Sequence, residues 1–216
     1  MYHLYYSPRC ASMAVHWLLH HLDVPYRLHY VNKKKDEQKS DAYRKLNPVG
    51  KIPTLVIDGQ PIAETAAIMM TLCEKHPDEH MMPPTHSAQK PRFYQWMLYL
   101  SNTLQNDLMI YFYPARHGVH NTEHDNVKRT QAARIDESLT LINDQLSHHT
   151  YLIDDEIYAC DFFLFMLCSW CFALEKTPMD YPYLRGFMQR MATNESVLAV
   201  NEIEQLNLIE ILSYVS

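Results

Sequence analysis

Glycine is scarce in this sequence, and its scarcity excludes several classes of function. Among 216 residues there are four glycines, and the closest two, Gly50 and Gly59, are nine positions apart. The glycine-rich motifs that bind dinucleotides or nucleotide phosphates need glycines within about five positions of each other, so neither motif is present. So few glycines also disfavour a turn-rich β-sandwich or barrel and favour a helix-rich chain.

The chain has no excess of basic residues either. It carries 19 lysines and arginines against 25 aspartates and glutamates, which gives a formal net charge of −6. A protein that binds a nucleic-acid duplex normally has a basic stripe. The one basic run, Lys33 to Lys35, is followed by Asp36 and Glu37, and we interpret it as a solvated loop. Nucleic-acid binding is therefore not expected.

Long hydrophobic runs are also missing. The longest, Phe162 to Leu174, has 13 residues and contains Ser169, whereas a membrane-spanning helix needs about 20. The run predicts a buried helix and no membrane partner. The first residues, Met1 to Leu4, show no basic region or cleavage site, and the five cysteines are an odd number. We therefore expect a cytoplasmic protein whose thiols stay reduced.

Hydrophobic residues make up 47% of the chain, and their spacing in the first part predicts a mixed α/β unit. The pattern predicts a strand over Tyr2–Tyr6, then a helix, then a strand over Tyr26–Tyr30 that runs parallel to the first. Next, Asp58-Gly59 separates two short apolar runs, Thr54–Ile57 and Gln60–Ala63. This pattern predicts a β-hairpin, and the helix that follows begins near Thr65.

The rest of the chain has helical spacing throughout. The segment around Pro83 and Pro84 lacks periodicity and predicts a linker. The apolar positions from Phe93 to Leu108 predict one long helix, and those from Asp161 to Leu174 predict a central helix that is apolar on all sides.

Four segments in this order resemble the soluble bacterial glutathione S-transferases. They are Leu4 to Pro8, Asn47 to Leu55, Glu64 to Ile68, and Tyr94 to Gln105 without its central residues 98–101. The resemblance implies a thioredoxin-like βαβ-ββα glutathione-binding domain over residues 1–78, a linker over 79–87, and an all-helical bundle domain over 88–216. It also implies a homodimer, in which the first domain of one subunit packs against the helical domain of the other.

The same resemblance implies which residues bind glutathione. The bond before Pro53 is expected to be cis, so that the backbone of Ile52 pairs with the cysteinyl part of glutathione. Glu64 is expected to meet the ammonium of the γ-glutamyl group and Thr65 its carboxylate. Thr65 also has a hydroxyl that can cap the helix that begins there. Lys51 is expected to meet the glycyl carboxylate.

The thiol-activating residue is less clearly defined by the sequence. Relatives often read Ser-Pro-Gly-Ala-Cys-Ser here, whereas this chain reads Ser-Pro-Arg-Cys-Ala-Ser over residues 7–12. Ser12 keeps the position of the family serine, Cys10 is displaced by one residue, and Arg9 replaces a glycine. We predict Ser12 as the main thiol activator, with Cys10 close by and Tyr6 as the reserve donor. In the second domain, Gln105 and Asn106 stand where some relatives carry His-Lys, in the pocket for the electrophile.

The predicted function is transfer of the glutathione thiolate to a small hydrophobic electrophile. Two alternatives remain open: a non-catalytic module that binds a protein partner, and a glutathione-dependent thiol–disulfide reductase that uses Cys10. No metal is expected. The histidines His117, His120 and His124 lie around Gly118 in a predicted loop, and the pair Cys168 and Cys171 lies in the most apolar helix.

Overall fold

A four-stranded sheet lies at the centre of the first part of the chain. The computed structural model describes residues 1–214. Its strands are β1 (Tyr2–Tyr6), β2 (Tyr26–Tyr30), β3 (Thr54–Ile57) and β4 (Gln60–Ala63), in the spatial order β2-β1-β3-β4. β1 pairs with β2 in parallel and with β3 antiparallel, and β3 pairs with β4 antiparallel. These elements confirm the predicted βαβ unit and hairpin.

The hairpin turn between β3 and β4 forms at the Asp58-Gly59 pair, as the sequence predicts. Asp58 and Gly59 both have positive φ angles, 51° and 80°, as the tight turn that suits the twist of two antiparallel strands requires. Within β1 the side chains alternate between the two faces of the sheet. Leu4 is fully buried beneath the helices, whereas Tyr5 lies on the other face, against Tyr43.

Ten α-helices accompany the sheet within residues 1–214. They are α1 (Ser12–His21), α2 (Asp41–Arg44), α3 (Thr65–Lys75), α4 (Lys90–Tyr99), α5 (Gln105–Phe112), α6 (His124–Leu146), α7 (Ala159–Trp170), α8 (Pro182–Ala192), α9 (Glu195–Glu204) and α10 (Leu208–Leu212). Helices α4 to α10 form the helical part. Across the described residues, no helix combines the length and apolar character that crossing a membrane would require.

The predicted long helix contains a local change of winding. Residues Leu100–Leu104 form a π-helical turn between α4 and α5, so the axis continues but the side-chain register shifts. Such turns are rare and are often found at functional sites. The sequence spacing predicted a continuous helix here and gave no sign of this turn.

Helix α7 lies at the centre of the helical part, as its sequence predicts. All its residues except the last, Trp170, are buried. At its start the buried carboxylate of Asp161 accepts hydrogen bonds from the backbone N–H groups of Tyr158, at 2.8 Å, and Leu152, at 3.0 Å. Burial nevertheless raises the pKa of Asp161 to about 7.

The two parts of the chain share one hydrophobic core. Trp17 of α1 is fully buried and packs on Phe162 and Phe165 of α7. Next to it, Nδ1 of His16 lies 2.7 Å from Oε1 of Glu204 on α9, and both side chains are fully buried. Since α1 also covers the sheet, these contacts fix the sheet relative to the helical part. The cleft between them is therefore a defined feature of the fold.

Candidate active site

A large cleft lies where the ends of the strands meet the helical part. Its volume is about 1030 Å³, at the upper end of the range for small-molecule sites. Five basic and three acidic side chains line it. Its floor comes from the loops after β1 and β2 and from the segment before β3, and its opposite wall comes from the π-helical turn, α5 and the end of α7.

Cys10 and Lys33 meet at the floor of this cleft. The Nζ of Lys33 lies 3.1 Å from the Sγ of Cys10, and both residues line the cleft. Cys10 follows β1 and Lys33 follows β2. The carboxyl ends of neighbouring parallel strands lie at the same edge of a sheet, so the two loops are adjacent. Lys33 is exposed, as expected of a solvated segment, but it also lines the cleft and contacts Cys10, which the sequence interpretation did not include.

The structure places the predicted main activator, Ser12, away from the cleft surface. Ser12 is fully buried and is not among the residues that line the cleft. Its hydroxyl donates to the carbonyl of Ser7 at 3.1 Å, and it accepts from the N–H of Ser7 at 3.3 Å. Ser12 therefore closes the turn that carries Cys10, and it does not itself face a ligand in the cleft.

Tyr6, the reserve donor, also lies outside the cleft lining. Its ring packs near His16, with 6.3 Å between the ring centroids, and near Tyr30. Burial raises the pKa of Tyr6, and the nearby Glu204 raises it further. Of the three predicted thiol-activating residues, the structure brings only Cys10 to the cleft lining, at its floor.

Arg9 occupies a backbone conformation that favours glycine. Its φ is 58°, in the left-handed region that costs an ordinary side chain about 1–2 kcal/mol. This conformation fits the glycine that the resemblance implies at this position. Arg9 lines the cleft, as does its neighbour Cys10. This turn therefore places a positive charge at the floor of the cleft, close in sequence to the thiol.

The segment before β3 is held by buried polar side chains. The Ile52–Pro53 bond is cis, as predicted, and both residues line the cleft with Lys51. The hydroxyl of Tyr43 and the Nδ2 of Asn47 each donate to the carbonyl of Lys51 at 2.8 Å.

Glu64 and Thr65 line the opposite side of the floor. Glu64 has φ 68° and ψ 115°, an unusual conformation for a residue other than glycine and one that is typical of functional sites. Thr65 was predicted to cap α3 with its hydroxyl, and this is wrong: Thr65 is the first helical residue, and its Oγ1 donates to the carbonyl of Ala11 at 3.2 Å. Because no side chain caps the first turn of α3, its N–H groups are available to a carboxylate.

Polar residues of the long helix face this floor. Gln105 and Asn106 line the cleft, and Ser101 and Asn102 of the π-helical turn join them. Sequence reasoning missed Ser101 and Asn102, because a regular helix does not predict the shifted register of a π-turn. Beyond them the wall becomes apolar, with Met109, Phe112 and Tyr113 opposite Trp170 and Phe172.

The other cysteines lie outside the cleft lining and belong to the core. Cys73, Cys160, Cys168 and Cys171 are all buried, and all five cysteines of the chain are free thiols. Burial raises the pKa of each of these four thiols, which makes them unreactive. Within residues 1–214, no group of three or more histidine, cysteine or carboxylate side chains is arranged to hold a metal ion.

Comparison with known proteins matches both parts of this architecture. The family described as "Glutathione S-transferase, N-terminal domain" matches residues 9–75, and "Glutathione S-transferase, C-terminal domain" matches residues 84–195. A curated relative, glutathione S-transferase GstA of Escherichia coli O157:H7, is 26% identical over 90% of this chain and 94% of its own length.

Solved structures share the fold. A glutathione transferase homologue from Sulfitobacter, with bound glutathione, superimposes with a TM-score of 0.87 at 22% identity, over 94% of this chain and 97% of that one. A sphingomonad glutathione S-transferase complexed with glutathione gives a TM-score of 0.83 at 21% identity, over 94% and 99% of the two chains. With the two family matches, this likeness completes the assignment: the chain belongs to the glutathione S-transferase family.

Proposed function

We propose that the protein is a glutathione transferase that binds glutathione on the floor of the cleft and transfers its sulfur to a hydrophobic electrophile. The observation that carries the proposal is the meeting of Cys10, Lys33 and Arg9 within one cleft that also contains Ile52, Glu64 and Thr65. The cluster at residues 9, 10 and 33 provides positive charge and a thiol. The other three provide backbone groups, an acid and a free helix start.

Each end of glutathione finds a chemically matched partner in this arrangement. The backbone of Ile52 pairs with the cysteinyl part as an added strand would. Glu64 receives the ammonium of the γ-glutamyl group, and the start of α3 at Thr65 receives the carboxylate beside it. Lys51, which lines the cleft and is exposed, meets the glycyl carboxylate.

The sulfur then lies next to Cys10. Free thiols have a pKa of about 8.5, and an adjacent cation lowers the pKa of a thiol by about one to three units. Lys33 and Arg9 therefore favour the thiolate, whose proton is released to solvent, and the Cys10 S–H donates a hydrogen bond to it. The thiolate attacks the electrophilic carbon, a carbon–sulfur bond forms, and the leaving group departs with the electron pair of the broken bond. Ser12 acts indirectly, by fixing the turn that positions Cys10.

The binding part of the proposal is tested with Glu64→Ala and calorimetry of glutathione. Loss of a hydrogen bond to a charged group is expected to weaken binding by about 1.5–3 kcal/mol. Glu74→Ala is the control, since Glu74 is an exposed acid of α3 outside the cleft lining. Equal affinities for glutathione in the Glu64 variant and the parent would refute the assigned position.

A second function, thiol–disulfide reduction, is favoured by the contact between Cys10 and Lys33. The contact lies at the surface of the cleft, where the thiol of Cys10 is open to a second substrate. The sulfur of Cys10 would attack a disulfide, release one thiol and form a mixed disulfide with the other. One glutathione would then displace this second thiol from Cys10, and another would regenerate free Cys10 and leave as oxidised glutathione. Cys10→Ser must abolish turnover of a mixed-disulfide substrate in this case.

Retention on immobilised glutathione separates both enzymes from a non-catalytic module that binds a protein partner.

We further propose a cytoplasmic homodimer with the domain division given above, residues 1–78, 79–87 and 88–216. Tyr94 and Leu98 support the dimer, because they expose 38% and 52% of their surface on α4, and stable interfaces bury such apolar side chains. The five free thiols fit a reducing compartment. A monomer mass at micromolar concentration in the analytical ultracentrifuge would contradict the dimer.

A further inference from the structure

The apolar wall of the cleft ends at a cation. Met109, Phe112, Tyr113 and Arg116 all line the cleft. Met109 and Phe112 lie on α5, Tyr113 follows its end, and Arg116 lies on the short 3₁₀ helix Pro114–His117. The guanidinium carbon of Arg116 lies 3.9 Å from the centre of the Tyr113 ring. This stacking fixes the planar group while leaving its edge free to bind a ligand.

Arg116 has no acidic partner within the described residues. Four ion pairs occur there, and none of them includes Arg116. Its backbone N–H donates to Tyr113, but no described residue accepts a hydrogen bond from its guanidinium. An acid that also lines the cleft, Glu210, accepts from the Nδ2 of Asn207 at 3.1 Å. The guanidinium therefore offers a full set of donors in the geometry that matches a carboxylate.

In the proposed binding mode, the negatively charged groups of glutathione lie near cations other than Arg116. In the proposed binding mode Lys51 meets the glycyl carboxylate, and Lys33 and Arg9 lie at the sulfur. The Nζ of Lys39 donates to the carbonyl of Val49 at 3.3 Å. Arg116 is the one basic lining residue contributed by the helical part of the described chain. Arg116 is therefore available to bind the electrophile, which is the second substrate.

We propose that the electrophile is an aromatic compound that carries a leaving group and a carboxylate, with its ring against Met109 and Phe112 and its carboxylate on Arg116. This inference rests on the proposed function and specifies the substrate class of the same site. The carboxylate takes no part in the reaction, since the thiolate attacks the ring carbon and the leaving group departs from that carbon. Its charge selects the substrate and orients the ring.

Two conjugates that differ in one group test the proposal by calorimetry. One is S-(2,6-dinitrophenyl)glutathione, and the other is the same compound with a carboxylate at ring position 4, opposite the sulfur. The parent protein is expected to bind the carboxylated conjugate at least tenfold more tightly. Arg116→Ala is expected to abolish this preference, and Arg116→Lys to restore part of it.

Lys128→Ala is the matched control for net charge. Lys128 is an exposed base that lines a small pocket beside Arg116 but not the main cleft, so its removal is expected to leave the preference unchanged. Equal binding of the two conjugates by the parent, or equal loss of preference in the Arg116→Ala and Lys128→Ala variants, overturns the inference alone. Failure of glutathione itself to bind the parent overturns the proposed function and the inference together.

Discussion

The ammonium of Lys33 lies 3.1 Å from the sulfur of Cys10, across the ends of two neighbouring parallel strands. Nothing in the linear sequence pairs these residues, which are 23 positions apart. Their contact gives the cleft a cation at the point where the sulfur of glutathione is expected.

Lys33→Met is expected to raise the thiol pKa of bound glutathione by about one to two units, because it removes a positive charge next to the thiolate. The ultraviolet absorbance of the thiolate, followed across pH in the binary complex, measures this pKa. Lys34→Met is the matched control, since Lys34 is an exposed neighbour outside the cleft lining. Ser12→Ala is expected to leave the thiol pKa of bound glutathione unchanged. A larger pKa shift in Ser12→Ala than in Lys33→Met would show that Ser12 is the thiol activator.

Gly50→Ala is expected to lower the free energy of unfolding by about 2 kcal/mol or more. Gly50 has φ 64°, and a Cβ there would lie 2.8 Å from the backbone oxygen of Gln38. The cost combines a left-handed backbone with a clash against a fixed atom. Gly118→Ala controls for the backbone contribution, since Gly118 has φ 76° and a Cβ there would meet no atom within 4 Å. Urea denaturation of both variants gives the comparison, and equal losses would exclude the clash.

Removal of one partner of the buried pair His16 and Glu204 is expected to cost about 3–5 kcal/mol of stability, because the other group is left buried and unpaired. Glu204→Leu alone is therefore expected to destabilise strongly. The double change His16→Leu with Glu204→Leu is expected to recover much of the loss. Denaturation by urea measures each variant, and additive losses in the double variant would show that the two residues are not coupled.

Asp161 is expected to make stability depend on pH. In the unfolded chain this carboxyl has a pKa of about 4, but burial raises its pKa in the folded protein to about 7. Between these values folding takes up a proton, so the contribution of Asp161 to the free energy of unfolding falls as pH rises and levels off above about 7. The slope of unfolding free energy against pH is expected to be less negative in Asp161→Asn. Identical slopes in Asp161→Asn and the parent would contradict the prediction, and Asp144→Asn, an exposed acid of α6, controls for surface charge.

The elements of the fold follow closely from local sequence patterns. The alternation over Tyr26–Tyr30 and the Asp58-Gly59 turn predicted one strand and one hairpin, which the structure reproduces with the same bounds. These signals are strong because an alternating sequence pattern and a turn with two positive φ angles each restrict the chain within a few residues. The cis bond before Pro53 was predicted from the resemblance rather than from any local rule.

The residues at the reactive end depended on tertiary structure. The sequence by itself determined the family, the strands and helices, and the cleft segments at Ile52 and at Glu64 and Thr65. It did not determine whether Ser12 or Cys10 faces the ligand, because one residue of displacement at a helix start is a rotation of about 100°. Only the folded chain, with the hydroxyl of Ser12 bonded to Ser7, turns Cys10 to the cleft and brings Lys33 to it from a second loop.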